Sequence, residues 1–374
     1  MNVRRDLEGR QHRHAVAGGT LFAFILAVVL FGVSQTLGHD SRANANSHRA
    51  LSGAAGAGEP LPDLLGSYPW PVKPFDAVHP IRGTFGEPRT VFAGPPTATT
   101  LYRGAESFSF HQGVDVVAAD GAAVYPVRSG VVTLAKAMKV FVKSGSVTSE
   151  EYWHILPSVH VGQTVTASQT VLGHIRRSYG HVHFTELRHG RPVNPLALGY
   201  LTPYRDRIPP TLGPVQFRRP GSDQQFLPEL VHGSVEIGVP VSDRPDAGGS
   251  GIWAGLPTAP AVLSWKLERA RDHRPVIVEV AVDDVRRWIP PQRAFWNTYL
   301  RGTRQNMPTF KLHRYWRQPG LFIFKLGVID TRRLEDGIYV ISVTARDIAG
   351  NARTERQVFT IFNRSGWPPP TPQS

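Results

Sequence analysis

The sequence predicts a mainly β protein made of two β-rich units joined by a short hinge. Three observations carry this. Runs rich in Val, Ile, Phe and Tyr recur at short intervals, as in VEIGVPV, VIVEVAV and GIYVISVTA. Such β-branched and aromatic runs suit a pleated, half-buried surface. Glycine and proline, 36 and 32 of the 374 residues, punctuate those runs as turn signals. Few segments carry the 3.6-residue apolar period of a helix.

The elements follow in chain order. Arg4, Arg5, Arg10 and Arg13 precede an apolar run from Thr20 to Val33. A basic flank followed by an apolar run reads as a signal peptide or an uncleaved membrane anchor over residues 1–38. Either reading delivers the rest of the chain outside the cytoplasm, because the basic flank stays inside. Residues 39–66 are rich in Ser, Ala, Gly and Asn and read as a flexible linker. Residues 67–204 form the first β unit. Arg205 to Pro214 is a hinge by its prolines. Residues 208–362 form the second unit, whose strand spacing suits a β-sandwich. The turn signals Asp336-Gly337 and Gly350-Asn351 bracket its strand GIYVISVTARD. The proline-rich tail, residues 363–374, is expected to be disordered.

Charge narrows the function. Lys and Arg exceed Asp and Glu by 42 to 29, a net charge of +13. A nucleic acid, a membrane surface or an anionic wall polymer would each attract such a chain. The charges are spread through both halves and no nucleic-acid motif is present, so wall or membrane attraction is expected and nucleic acid is not. There is no cysteine, which excludes disulfides and any thiolate zinc site.

Two short strings carry the chemistry. HQGVD holds His111 and Asp115, and GHVHF holds His181 and His183. On a strand, residues of equal parity share a face, so each pair can point to one side. Gly113 lets the backbone bend or approach another chain closely. Catalytic zinc takes three N or O ligands and keeps a fourth position open. Two imidazoles and a carboxylate from these strings meet that need, and one histidine is left for chemistry. YWHI, between them, adds His154. Neither string is specific alone. With fifteen histidines in the chain, an H-x-H is expected roughly once by chance. His12-Arg13-His14 is another such pair, in a basic stretch without strand character. The bland readings are a hydrogen-bonded strand pair for His181 and His183, and a loop ion pair for His111 and Asp115.

The surrounding residues resemble the lysostaphin-type zinc endopeptidases that cut peptidoglycan stems and cross-bridges. The resemblance runs from about Pro69 to Leu201. It rests on HPIRGTFGEPR, FHQGVDVVAADGAAVYPVRSGVV, YWHI, VGQTVTASQTVLGHI, GHVHF and GRPVNPLALGYL, all in the family's order. It implies a duplicated hybrid motif fold of antiparallel strands. It implies zinc on His111, Asp115 and His183, with His154 and His181 as the catalytic histidines. The implied activity is zinc-dependent hydrolysis of peptide bonds in peptidoglycan by an extracytoplasmic enzyme, with anionic wall polymers as further candidate partners. One departure stands inside the motif: Thr185 follows Phe184 where the family usually has Glu, and Glu186 comes one residue later. It is expected to alter the groove wall and leave the five site residues untouched. The rival from another class is a non-catalytic wall-binding or regulatory protein of the same fold.

In the second unit, DGIYVISVTARDIAGN resembles the last strands of bacterial immunoglobulin-like domains. Trp253, Trp265, Trp288, Trp296 and Trp316 offer glycan stacking or, more simply, core packing. Asp243, Asp246 and Gly248-Gly249 suggest a calcium loop, but their spacing fits no EF-hand. His79, His160, His174 and His189 take structural or solvated roles. Since all five site residues precede Leu201, the second unit is expected to be dispensable for the chemistry.

Overall fold

The computed structural model describes residues 66–90, 108–197, 200–306 and 320–363. The N-terminal signal or anchor, the linker before Gly66, Trp316 and the C-terminal tail after Asn363 lie outside the described residues. Among the described residues no helix is long and apolar enough to cross a membrane.

The fold is mainly β, with antiparallel sheets and a single short α-helix, Phe295–Thr298, among the described residues. The first half is organised by an eight-stranded sheet. Its strand His181–Arg188 lies between Val114–Val117 and Thr148–Trp153. Alternation sorts the two faces of that strand. Val182 and Phe184 are fully buried beside Val114, Val116 and Tyr152 in one apolar cluster. His181, His183 and Thr185 have the opposite parity and share the other face. Ile81–Gly83 pairs with Val114–Val117 at the sheet edge. A three-stranded sheet of Ala123–Val124, Gly173–Ile175 and Ile155–Pro157 completes the half.

Gly113 is where the strands must close up. A side chain there would collide with the Phe184 carbonyl, so the close approach read from the sequence is required. His154 marks the other departure from regularity. It sits between Thr148–Trp153 and Ile155–Pro157 with φ of 68°. That left-handed backbone costs a non-glycine residue roughly 1–3 kcal/mol, and such outliers cluster at functional sites.

In the second half two antiparallel sheets enclose one apolar core. Ser234–Ser242 pairs with Ile323–Asp330, and Pro275–Asp284, Val262–Arg269, Gly337–Arg346 and Ala352–Ile361 follow in order in the other sheet. Ile237, Val239, Leu263, Trp265, Phe324, Ile341 and Phe359 meet between them.

The halves interlock more than the sequence suggests. The described residues form one compact unit. Phe110, from the first half, is 2% exposed inside the second half's core, against Phe295 and Tyr299. The Tyr299 hydroxyl donates to the Gly86 carbonyl at 3.0 Å. Asn194 Nδ2 donates to the Val285 carbonyl at 2.9 Å, and Thr84 Oγ1 to that of Ala259 at 3.0 Å. Phe110→Ala should therefore destabilise the protein by the ~3–5 kcal/mol of a buried Phe deletion, read by urea unfolding. A loss below about 1 kcal/mol would mean that the halves are not joined through this side chain.

Candidate active site

The site lies on the polar face of the His181–Arg188 strand. Register sets it: His183 faces Asp115 on one neighbour and Trp153 on the other. Asp115 therefore arrives beside His183 without a loop to place it. His111, four residues before Asp115, turns in from the preceding bend. His111 Nε2 lies 2.8 Å from His183 Nδ1 and 3.2 Å from Asp115 Oδ1. His183 Nδ1 lies 3.0 Å from the same oxygen. Two imidazole nitrogens and a carboxylate oxygen thus converge, as a metal site needs.

The far sides of these groups are tied. His183 Nε2 is 2.9 Å from Thr185 Oγ1, and His111 Nδ1 is 2.8 Å from the Thr84 carbonyl. With N–H donated at each of those contacts, both inner nitrogens keep a free lone pair. Arg89 Nη2 also lies 2.9 Å from His111 Nδ1. That approach suits the other His111 tautomer, so a bound metal selects the form that donates to Thr84. Asp115 is held through its outer oxygen. Arg82 Nη2 donates to Oδ2 at 2.7 Å and Arg89 Nη2 at 2.8 Å. Oδ1 is left to face the imidazoles. Arg89 is paired in turn with the buried carboxylate of Glu87 at 2.7 Å.

Burial decides the charge states. It pushes His111 down to about 3, with Arg89 adding to the effect. His154 is also pushed down to about 3, by burial and then by His183. Burial and the Arg82 charge hold His181 well below the usual histidine range. Burial alone would raise Asp115, but His111, Arg82 and Arg89 together hold it well below the carboxylate range. At neutral pH His111, His154 and His181 are therefore neutral beside an anionic Asp115.

His181 and His154 stand beside the metal-binding trio. His181 Nδ1 donates to the Tyr179 carbonyl at 2.6 Å, which leaves Nε2 free, 3.8 Å from Asp115 Oδ1. The turn before it is fixed by Asp120, whose carboxylate accepts from the Ser178 and Gly180 N–H groups at 2.7 and 2.9 Å. His154 stacks on Tyr179 at 4.4 Å and meets His181 edge-on at 4.8 Å. All five residues singled out in the sequence are therefore brought to one place. His79, His160, His174 and His189 are not among them. His79 bonds to the Pro74 carbonyl at 2.7 Å.

Several neighbours were not legible. Arg82 and Arg89 lie inside HPIRGTFGEPR, yet nothing local marks either as buried. Thr185 differs from its sequence reading: it touches a site residue, His183. Glu186 does not replace the missing acid, since it points to the opposite face and accepts from the Tyr68 hydroxyl at 2.6 Å. Trp253 is the larger surprise. It comes from the second half, in the short 3-10 turn Gly251–Trp253. Its ring packs edge-on against His181 at 5.5 Å and under the Arg82 guanidinium at 4.2 Å. The second half therefore supplies part of the site wall, which the expectation of a self-contained first half did not allow for.

With this geometry in place, comparison with known proteins shows which family part of the chain resembles. Residues 109–195 match the family model of peptidase family M23. The segment is similar to the M23, lysostaphin-type, peptidases. Among solved structures, a zinc containing peptidase from Vibrio cholerae is 25% identical over 34% of this chain, with a TM-score of 0.27. The match spans 39% of that protein's own length. The catalytic domain of a prophage-encoded M23 protein from Enterococcus faecalis is 22% identical over 33% of this chain and 95% of its own, with a TM-score of 0.24. A deep-sea M23 metalloprotease, pseudoalterin, is 20% identical over 38% of this chain and 80% of its own, with a TM-score of 0.23. No curated protein matches the chain. The M23 match covers the stretch from Ser109 to Pro195 and so contains all five residues.

Two outcomes follow from the M23-like site. Thr185→Val removes the acceptor that orients His183 and should weaken metal binding by the ~10–100-fold typical of such a loss. Competition with a chelating dye measures this, and unchanged affinity would show that Thr185 does not set the His183 tautomer. The second concerns pH. His111 and His154, lowered from 6.5 to about 3, stay neutral in the fold and take up protons on unfolding. Metal-free protein should therefore lose stability as pH falls from about 6.5 toward 3. Thermal melts at pH values across the upper part of that window would read it, and a flat profile would contradict the burial of both rings.

Proposed function

We propose that this protein is a zinc-dependent endopeptidase that hydrolyses peptide bonds in peptidoglycan outside the cytoplasm. The observation that carries the reading is the convergence of His111 Nε2, His183 Nδ1 and Asp115 Oδ1 within 3.2 Å, with two further neutral histidines beside them. Two nitrogens and one oxygen suit zinc, and the tied outer nitrogens suit ligand histidines. His111, Asp115 and His183 would hold the ion. When bound, zinc supplies a Lewis acid that acidifies water and polarises the scissile carbonyl.

The remaining work falls to the chain's own side chains. His181, neutral and tethered to Tyr179, offers Nε2 as an acceptor for the proton of the attacking water. His154, held by its stack on Tyr179, faces the same space and suits the developing oxyanion. The proton is then returned to the leaving amine. The intact set of five favours an enzyme over a wall-binding protein of the same fold, since binding alone needs no base. The substrate is supported by the M23 match, by the net charge of +13 and by the basic-then-apolar N-terminus. Anionic wall polymers fit as further partners, and N-terminal membrane attachment fits the same location. The C-terminal half is read as immunoglobulin-like on its two sheets and its final strand motif.

Purified protein incubated with peptidoglycan, with fragments identified by mass spectrometry, tests the reading. His111→Ala, Asp115→Ala and His183→Ala should each lose most bound zinc. His154→Ala and His181→Ala should keep zinc and lose cleavage by at least ~100-fold. Full zinc content in the first three, or wild-type cleavage in the last two, would overturn the assignment.

A further inference from the structure

A second group of ligand-type side chains lies away from the histidines. Asp206, Asp243 and Asp347 come from three distant segments: the hinge, the end of strand Ser234–Ser242 and the end of strand Gly337–Arg346. One carboxylate oxygen from each lies within 4.8 Å of the others. The residues are 6%, 3% and 2% exposed. Among the described residues, no Lys, Arg or His forms an ion pair with any of the three. Three buried carboxylates without a counter-charge repel one another in a medium that screens poorly.

The hydrogen bonds around the group leave two buried oxygens without a partner. Asp206 Oδ1 accepts from the Ile208 and Asp246 N–H groups at 3.1 and 3.0 Å. Its Oδ2 is buried and has no hydrogen-bond partner. The Tyr204 hydroxyl is likewise buried without a partner. Its ionisation is opposed by burial and then by Asp206, Asp243 and Asp347, so it stands beside the same group. Asp206 thus brings a buried oxygen without a hydrogen-bond partner to a group of three carboxylates, which is a place for a cation. Asn351 frames the remaining side: its Nδ2 donates to Asp347 Oδ2 at 2.7 Å and to the Asp206 carbonyl at 3.1 Å.

We propose that Asp206, Asp243 and Asp347 form a calcium site that fastens the hinge to the second half. The donors are all oxygen, which selects a hard cation. Mg2+ demands a near-ideal octahedron and usually keeps several waters, whereas Ca2+ accepts irregular protein cages. The site is separate from the zinc-type group in both residues and donor chemistry, and it does not depend on the reading of that group.

Its position gives it a consequence. Asp243 and Thr258 exchange backbone hydrogen bonds at 2.7 and 2.8 Å, closing the base of the segment that carries Trp253. Within that segment the Ala247 carbonyl accepts from Ile81 N–H at 3.1 Å, next to Arg82. A cation at the base therefore braces the segment that lays Trp253 against His181.

The test uses the full chain kept in zinc and exchanged into calcium-free buffer. Calcium is titrated by calorimetry and melting temperature is followed, with magnesium as a parallel arm. One calcium per chain and a rise in Tm of roughly 5 °C at saturation are expected. Asp347→Asn and Asp243→Asn should weaken calcium binding at least tenfold while zinc content stays at the wild-type level. Each should also raise the Tm of calcium-free protein, because a repelling charge is gone. The competing state is a shared proton, since burial and the neighbouring carboxylates push Asp243 up to about 8. In that case calcium neither binds nor shifts Tm in any of the three proteins, and the proposal falls. Stronger binding of magnesium than of calcium would overturn the choice of ion. Zinc content and peptidoglycan cleavage are read separately, so failure here leaves the histidine site standing.

Discussion

The site depends on keeping Asp115 ionised inside the protein. A carboxylate that is 1% exposed loses its hydration, and burial alone would favour its protonated form. Arg82 and Arg89 restore the balance from one side and the histidines face it from the other. Both guanidiniums use Oδ2, so the carboxylate is turned and Oδ1 is presented inward. The arginines must be held as firmly as the carboxylate. Glu87 pairs Arg89, the Trp253 ring stacks on Arg82, and Gly83 leaves room because any side chain there would run into Arg89 and Asp115. Removing one arginine would leave a buried charge half compensated, which is costlier than removing a surface ion pair.

Much of the arrangement could be read from spacing. Parity placed His181 and His183 on one face, and the H-x-x-x-D spacing brought His111 and Asp115 together. The mainly β fold followed from the Val, Ile and Tyr runs and their glycine and proline breaks. What escaped reading was contact between distant segments. Thr185 and Glu186 are adjacent, yet one orients a histidine and the other joins a buried network with Tyr68 and Arg128. Strand alternation separates them, and the sequence comparison with the family had linked them. Arg82 looks like an ordinary surface arginine until the Trp253 ring covers it, and Arg89 until it pairs with Glu87 and Asp115.

The acidic group shows the same limit from the other side. Asp243 and Asp246 are close in sequence and suggested a local loop. The fold uses Asp243 with Asp206 and Asp347 instead, and Asp246 pairs its side chain with Arg207 at 3.0 Å. Segments 37 and 104 residues away from Asp243 in the sequence leave no local pattern to find. Only the two sheets of the second half and the hinge bring them together.

Phe110 carries a consequence for motion. Its side chain is a wedge in the second half's core, and its peptide bond leads directly into His111. The first histidine is thus mounted on a residue whose anchorage belongs to another part of the molecule. Fluctuations that loosen the sandwich would reach the pocket through one covalent step, with no need for a relay of contacts. The rigidity of the pocket is in this sense borrowed, and amide exchange at His111 should report the opening of the distant core as faithfully as amides within it.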